Sequence, residues 1–116
     1  MTTIADTIAT VCFEFKVQRL HILSPRRARY IAWPRQAAMF LAHELTAKSY
    51  PQIGMVFDRD HTTVLSAIYR VKLRVDPHSH KYDADFAATL TKCRARLEAM
   101  PSNDMVMVGA EYRMAI

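Results

Sequence analysis

Apolar residues recur along this chain with a helical period, in blocks separated by caps and turns. Ile4, Ile8, Val11, Cys12 and Phe15 share one face of a first segment, behind Thr3 and Asp6 at capping spacing. A short helical turn is expected over about residues 17–23, and residues 24–33 read as an irregular basic loop. Pro34 then suits a helix start, where a missing N–H costs nothing. Ala38, Leu41, Ala42 and Leu45 would point inward from it, leaving Arg35, Met39 and His43 on an outer face. Ser49-Tyr50-Pro51-Gln52 has the form of a capping box with proline in the first turn, and Ile53, Val56 and Phe57 supply core contacts for a very short helix. Val64, Ala67, Ile68, Val71 and Val75 follow at i, i+3, i+4, i+7 and i+11, so one stripe is buried until Asp76-Pro77 stops the helix. After a loop with His78 and His80, Phe86, Leu90, Cys93 and Leu97 form the core stripe of a last helix. Its Asp83 and Asp85 lie at the positive end of the helix dipole, with Lys92, Arg94 and Arg96 toward the negative end. The pattern predicts an all-α fold: one domain over residues 1–98 and a tail over 99–116.

The most informative junction is Arg59-Asp60-His61-Thr62-Thr63-Val64. Asp60 can accept backbone N–H groups as an N-cap, and His61, Thr62 and Thr63 fill the first turn, where hydroxyls find partners readily. His61, Thr62, Leu65 and Tyr69 share the side opposite the buried stripe. Only Asp58 and Arg59 separate this helix from the one before it, so the two must turn sharply against each other, as in a helix-turn-helix. A polar, exposed N-terminus on such a helix is how a recognition helix enters a major groove. The same geometry also fits an ordinary helical hairpin in a small bundle.

The run through Ser24-Pro25-Arg26-Arg27, Trp33-Pro34-Arg35-Gln36, Ala42-His43-Glu44-Leu45-Thr46, Ser49-Tyr50-Pro51-Gln52-Ile53-Gly54 and Arg59-Asp60-His61-Thr62-Thr63-Val64 resembles the C-terminal DNA-binding domain of the bacterial chromosomal replication initiator DnaA. The resemblance covers roughly residues 4–97. It implies a TrpR-like helical domain that reads a short asymmetric DNA box with its helix-turn-helix and an additional basic loop. Carried over residue by residue, Arg27 matches the loop arginine that enters the minor groove, where a narrow A·T stretch concentrates negative potential. Asp60, His61 and Thr62 match the major-groove readers, and Pro51 matches a position that packs on base edges. A threonine methyl can pack on a thymine methyl, and a carboxylate can accept from cytosine N4. Arg26, Arg35, Gln36, Lys48, Ser49, Arg59 and Thr63 match phosphate-side positions, which set register rather than sequence. Each has a plainer alternative: Asp60 a cap alone, Arg27 a solvated loop side chain, Lys48 a surface partner for Glu44 at i, i+4. The chain departs from the family at His43, Pro25 and Trp33, each of which removes a positive charge, so the preferred sequence need not be the family's own. Trp33 is the only tryptophan. It is a candidate stacking residue, although a lone tryptophan at a helix start is more often a core lid.

Composition supports a binding module. The chain has 116 residues, enough for one helical core, and a net charge of +5. From Phe15 to His43 there are Lys16, Arg19, Arg26, Arg27, Arg29 and Arg35 but no acidic residue, which beside a helix-turn-helix reads as a phosphate-facing surface. Cys12 and Cys93 fall on apolar stripes and are expected to be reduced core residues of a cytoplasmic, nucleoid-associated protein. No leader pattern opens the chain and no apolar run is long enough to span a bilayer. Gly54 precedes Met55 and Gly109 precedes Ala110, so neither begins an ATP cradle. Paired carboxylates in an apolar setting and an activated nucleophile are both missing, and His78, His80 and Cys93 lack a recognised zinc spacing. No cofactor, metal or enzymatic activity is expected. The reading is a stand-alone protein that binds double-stranded DNA as a monomer at DnaA-box-like sites and modulates replication initiation, helping or competing with the full-length initiator. A transcription regulator built on the same module and a protein-interaction module with decayed DNA contacts are the alternatives. Met105-Val106-Met107-Val108 in the tail is apolar enough that packing or partner contact is favoured over a free end.

Overall fold

In the computed structural model, α1 (Ile4–Phe15) opens with the reciprocal cap its sequence encodes: Asp6 N–H donates to Thr3 Oγ1 at 3.0 Å, and Thr3 N–H donates to Asp6 Oδ2 at 3.0 Å. The structure describes residues 2–100 and the strands 106–108 and 111–113. Lys16 ends α1 in the left-handed region, and α2 (Arg19–Ile22) is one short turn. Next come α3 (Arg29–Leu45), α4 (Tyr50–Phe57), α5 (His61–Val75) and α6 (Ala84–Glu98). Residues 2–100 are therefore all helix and loop. Strands β1 (Val106–Val108) and β2 (Glu111–Arg113) pair antiparallel, Met107 opposite Tyr112. The remaining tail positions, and with them the expected packing or docking of the tail, lie outside the described residues.

The central element is α3, which packs on α1, α2, α4 and α5. It starts at Arg29 rather than Pro34, because the Ala28 carbonyl accepts from Ile31 N–H at 2.9 Å and Ala32 N–H at 2.7 Å while Ile31 is fully buried. Pro34 thus stands inside the helix and leaves the Tyr30 carbonyl without its i+4 donor. Tyr30 is exposed, so water can supply that partner. The basic loop shrinks accordingly to residues 24–28. Burial on several sides also corrects the expectation of an outer face: Arg35 and Met39 are both buried, along with Ile31, Ala37, Ala38, Phe40, Leu41 and Ala42. A single-stripe reading fails for a helix packed on more than one face.

Elsewhere the stripes hold. Val64, Ala67, Ile68 and Val71 of α5 and Phe86, Leu90, Cys93 and Leu97 of α6 are buried. In α4, Ile53 and Phe57 are buried but Val56 is exposed, since Ile53 and Phe57 at i, i+4 already occupy the inward side. Ion pairs tie α6 to its neighbours: Arg96 to Glu14 at 2.9 Å and Arg94 to Glu44 at 3.4 Å. Trp33 is a lid on the core. It meets Phe86 edge-on with centroids 5.8 Å apart, and the Arg74 guanidinium lies 4.1 Å from its ring. Burial pushes the Cys93 thiol up to about 12, with the Glu14 charge adding to the effect, so it stays protonated; the half-buried Cys12 is raised as well, again mainly by burial.

The α4–α5 turn depends on two backbone features. Asp58 adopts the left-handed conformation at φ 57°, and Arg59 N–H donates to the Gly54 carbonyl at 2.9 Å. Gly54 is buried against this returning chain, where a Cβ would fall well inside contact distance of the Arg59 carbonyl oxygen. Gly54→Ala is expected to cost about 1–3 kcal/mol through this overpacking, read by urea unfolding. Val56→Thr on the exposed face of the same helix should stay within about 0.5 kcal/mol. Equal stability of Gly54→Ala and the parent chain would show that the turn can open to admit a methyl group.

Candidate nucleic-acid interface

Two arginines fix the basic loop in place. Arg35 is 6% exposed, and its guanidinium donates from Nε to the Ile22 carbonyl at 2.7 Å and from Nη2 to the His21 and Ser24 carbonyls at 3.2 and 2.8 Å. His21 and Ile22 lie in the last turn of α2 and Ser24 follows it; the His21 carbonyl also accepts from Ser24 N–H at 3.1 Å, whereas those of Ile22 and Ser24 have no backbone donor among the described residues. Arg59 approaches from the α4–α5 turn, donating from Nη1 to the Phe57 carbonyl at 2.6 Å and from Nη2 to the Ser24 carbonyl at 2.8 Å. One carbonyl oxygen thus accepts from two cations and joins the loop, α3 and the helix-turn-helix. Burial, and then the Arg59 charge, lower Arg35 to about 10, which leaves it protonated at neutral pH. Arg35 and Arg59, expected to hold phosphates, spend donors on the protein's own backbone. Carbonyls left at a helix end need a partner, and a guanidinium fork reaches several at once.

Helix α5 carries the cap predicted for it. Asp60 Oδ1 accepts from Thr63 N–H at 3.1 Å and from the Thr62 and Thr63 hydroxyls at 2.6 and 3.3 Å. The Thr62 hydroxyl bond, and then the Thr63 N–H, hold the Asp60 carboxyl below its ordinary range. Its Oδ2 has no protein partner among the described residues. Asp60, His61, Thr62 and Thr63 are all exposed. At the start of α4, Gln52 N–H donates to Ser49 Oγ at 3.2 Å and Ser49 N–H to Gln52 Oε1 at 2.8 Å, leaving Pro51 exposed in the first turn. Lys48 is exposed and lies beyond the end of α3, so no i, i+4 pair with Glu44 forms. Glu44 is bonded to Arg94 instead.

Between the loop and α5 runs a cleft of about 820 Å³. It brings together Arg27, Arg35, Gln36, Arg59, Thr62 and Thr63 from the predicted set, and adds Ser66 and Arg70, which the sequence reading missed. Their signal was present: Ser66 and Arg70 continue the Thr62 line down α5 at i+4 and i+8. Asp58 is the acidic residue in the lining. Arg26, Lys48, Ser49, Pro51, Asp60 and His61 lie outside the cleft lining. Arg27 is exposed and takes part in none of the ion pairs among the described residues. Arg26 instead contacts the His21 ring, Nη1 to Nε2 at 3.3 Å. Gln36 Oε1 is buried without a hydrogen-bond partner among the described residues. His43 stacks on Tyr50 with centroids 4.8 Å apart, so the ring replacing the family's usual lysine is held by a neighbour.

Loss of the clamp and loss of a free cation should have different signatures. Arg35→Met is expected to lower unfolding free energy by about 2–3 kcal/mol, because buried carbonyls lose a charged donor, and to speed amide exchange around residues 24–28. Arg27→Gln should leave stability within about 0.5 kcal/mol. An Arg35→Met protein of full stability that merely binds duplexes with a shallower salt dependence would restore Arg35 to a phosphate role.

Comparison with known proteins agrees with this geometry. Residues 4–71, more than half of the chain, match the family described as bacterial dnaA protein helix-turn-helix. The chain is also 46% identical over 88 residues to the chromosomal replication initiator protein DnaA of Sphingopyxis alaskensis, an alignment that covers 74% of this chain and 19% of that protein. It therefore spans about a fifth of the relative's length. On these grounds, and on the helix-turn-helix observed, the chain belongs to the DnaA helix-turn-helix family of DNA-binding domains.

Proposed function

We propose that this protein recognises DnaA-box-like sites in duplex DNA and modulates chromosomal replication initiation, helping or competing with the full-length initiator. The observation that carries the reading is the pairing of an exposed, Asp60-capped start of α5 with an arginine-bearing loop clamped beside it. A recognition helix enters the major groove N-terminus first, and an irregular loop can follow the adjacent minor groove where a helix would not fit. Thr62 gives its hydroxyl hydrogen to Asp60, so its methyl is the group left to pack on a thymine. The unengaged Oδ2 of Asp60 can accept from cytosine N4 while Oδ1 maintains the cap. His61 and Pro51 complete the base-facing set. Arg26, Gln36, Lys48, Ser49 and Thr63 take the phosphate side, and Arg27 the minor groove. The action is occupancy of DNA rather than catalysis, with the initiator as the protein partner that such occupancy would affect.

Sequence reading and phosphate holding should separate in fluorescence anisotropy across salt concentrations. His61→Ala or Thr62→Ala is expected to relax discrimination between a box and a scrambled duplex by about 1–3 kcal/mol, whereas Lys48→Gln should weaken both targets alike and lower the salt slope by about one. Equal losses on both duplexes for His61→Ala would remove it from the base readers.

A second expectation concerns Arg27. Arg27→Lys should not recover full box affinity, because an ammonium is more strongly hydrated than a guanidinium and enters a narrow groove at greater cost. Full retention by the lysine variant would count against minor-groove insertion.

A further inference from the structure

A second cationic cleft, of about 850 Å³, continues from the first along α5, sharing Ser66 and Arg70 with it. Arg29, Arg74 and Lys81 line its walls, Trp33 forms part of its floor, and Asp83 is its acidic residue. The guanidiniums of Arg29 and Arg74 lie 4.8 and 4.1 Å from the Trp33 ring, so two like charges are held against one aromatic system. Arg74 is only 7% exposed, and its Nη1 has no hydrogen-bond partner among the described residues. Burial, and next the Arg70 charge, lower Arg74 to about 10; Asp83 acts in the opposite direction and Arg29 adds to the lowering. The Asp83 carboxylate is also engaged in capping α6, through Phe86 N–H at 3.0 Å. Cations crowded like this repel one another, and an anion placed among them would relieve the repulsion.

We propose that this cleft binds backbone phosphates of the DNA flanking the box, extending the footprint along α5 beyond the base-reading turn. The inference rests on the DNA-binding reading above, and geometry selects the occupant. From Thr62 to Arg74 the helix advances about 18 Å, at about 1.5 Å per residue, which exceeds the roughly 12 Å width of the major groove. With its first turn against base edges and its axis tilted across the groove, the other end of α5 passes out over the phosphate wall, where the long Arg29 and Lys81 side chains can reach the backbone. Because the cleft is continuous with the first, one duplex can engage both, whereas an acidic protein segment would need a separate approach.

Trp33 is the only tryptophan, so its emission reports this cleft without a label. Emission and anisotropy are measured with a box-length duplex, with the same box extended by ten base pairs on each side, with an extended scrambled duplex and with a glutamate-rich peptide. Both extended duplexes should change Trp33 emission, and the box-length duplex should change it little. The double variant Arg29→Gln, Lys81→Gln should bind the box-length duplex as the parent does but the extended one roughly three- to tenfold more weakly, with the salt slope lower by about two. Unchanged affinity and slope on extended DNA, or an emission response to the peptide and to no duplex, would overturn the proposal. Loss of box preference with a retained emission response to extended DNA would instead defeat the box-reading function and support the phosphate cleft.

Discussion

The carbonyl oxygen of Ser24 accepts a hydrogen bond from Arg35 and another from Arg59, and the candidate interface is organised around it. A loop of five residues has little packing of its own, and ordering it carries a conformational cost of about 1–2 kcal/mol per residue. The two guanidiniums offset that cost through charged donors to the Ile22 and Ser24 carbonyls, which accept from no other group among the described residues. They also set the distance between the loop and the α4–α5 turn, since the same oxygen is reached from α3 on one side and from residue 59 on the other. Groove recognition by two separate elements requires such a fixed spacing. The proposed division of the two grooves between Arg27 and the His61–Thr62 turn requires that both stand on a common rigid frame.

That frame is centred on α3. Small residues at Ala37, Ala38 and Ala42 allow neighbours to approach closely, while Ile31, Met39 and Leu41 fill the space between them. The cost of this arrangement is electrostatic. Arg35 and Arg74 are both carried into nearly full burial, and each is depressed by desolvation and by a second arginine nearby. Arg35 is compensated by backbone carbonyls. Arg74 relies on the faces of Trp33 and Phe86, which attract a cation through the ring quadrupole but leave one nitrogen without a hydrogen-bond acceptor among the described residues. The surplus of positive charge is thus built into the scaffold as well as its surface, and it lies along one side of α5.

Much of the molecule was legible in its sequence, for local reasons. Capping boxes at Thr3 and Ser49, the Asp60 cap and the Asp76-Pro77 stop depend on residues within a few positions of each other. The stripes of α5 and α6 belong to helices with one dominant buried side, which periodicity describes well. The capped start of α5 was legible for the same reason, because its cap, hydroxyls and exposed ring lie within four consecutive residues. The family resemblance then joined these local signals into one ordered motif.

What the tertiary structure alone decided concerns residues whose partners are distant in sequence. Arg35 reads as an outward cation on a helix surface, yet its acceptors lie eleven to fourteen residues away on α2 and the following loop. Arg59 reaches Ser24 across thirty-five residues. Met39 is buried, Pro34 lies inside a helix, Trp33 closes the core and Arg74 rests on it, all because α3 is surrounded rather than half-covered. A linear pattern of apolar and polar positions identifies one buried face per helix. It cannot show that a second face is occupied, or that a charged side chain has found carbonyls enough to go inside. The sequence by itself determined most of the helices, their caps and the sharp α4–α5 junction, since these depend on neighbours along the chain. The placement of the basic loop and the burial of Arg35, which the sequence puts on an outer face, were decided only when the helices packed, because the donors and acceptors concerned meet only there.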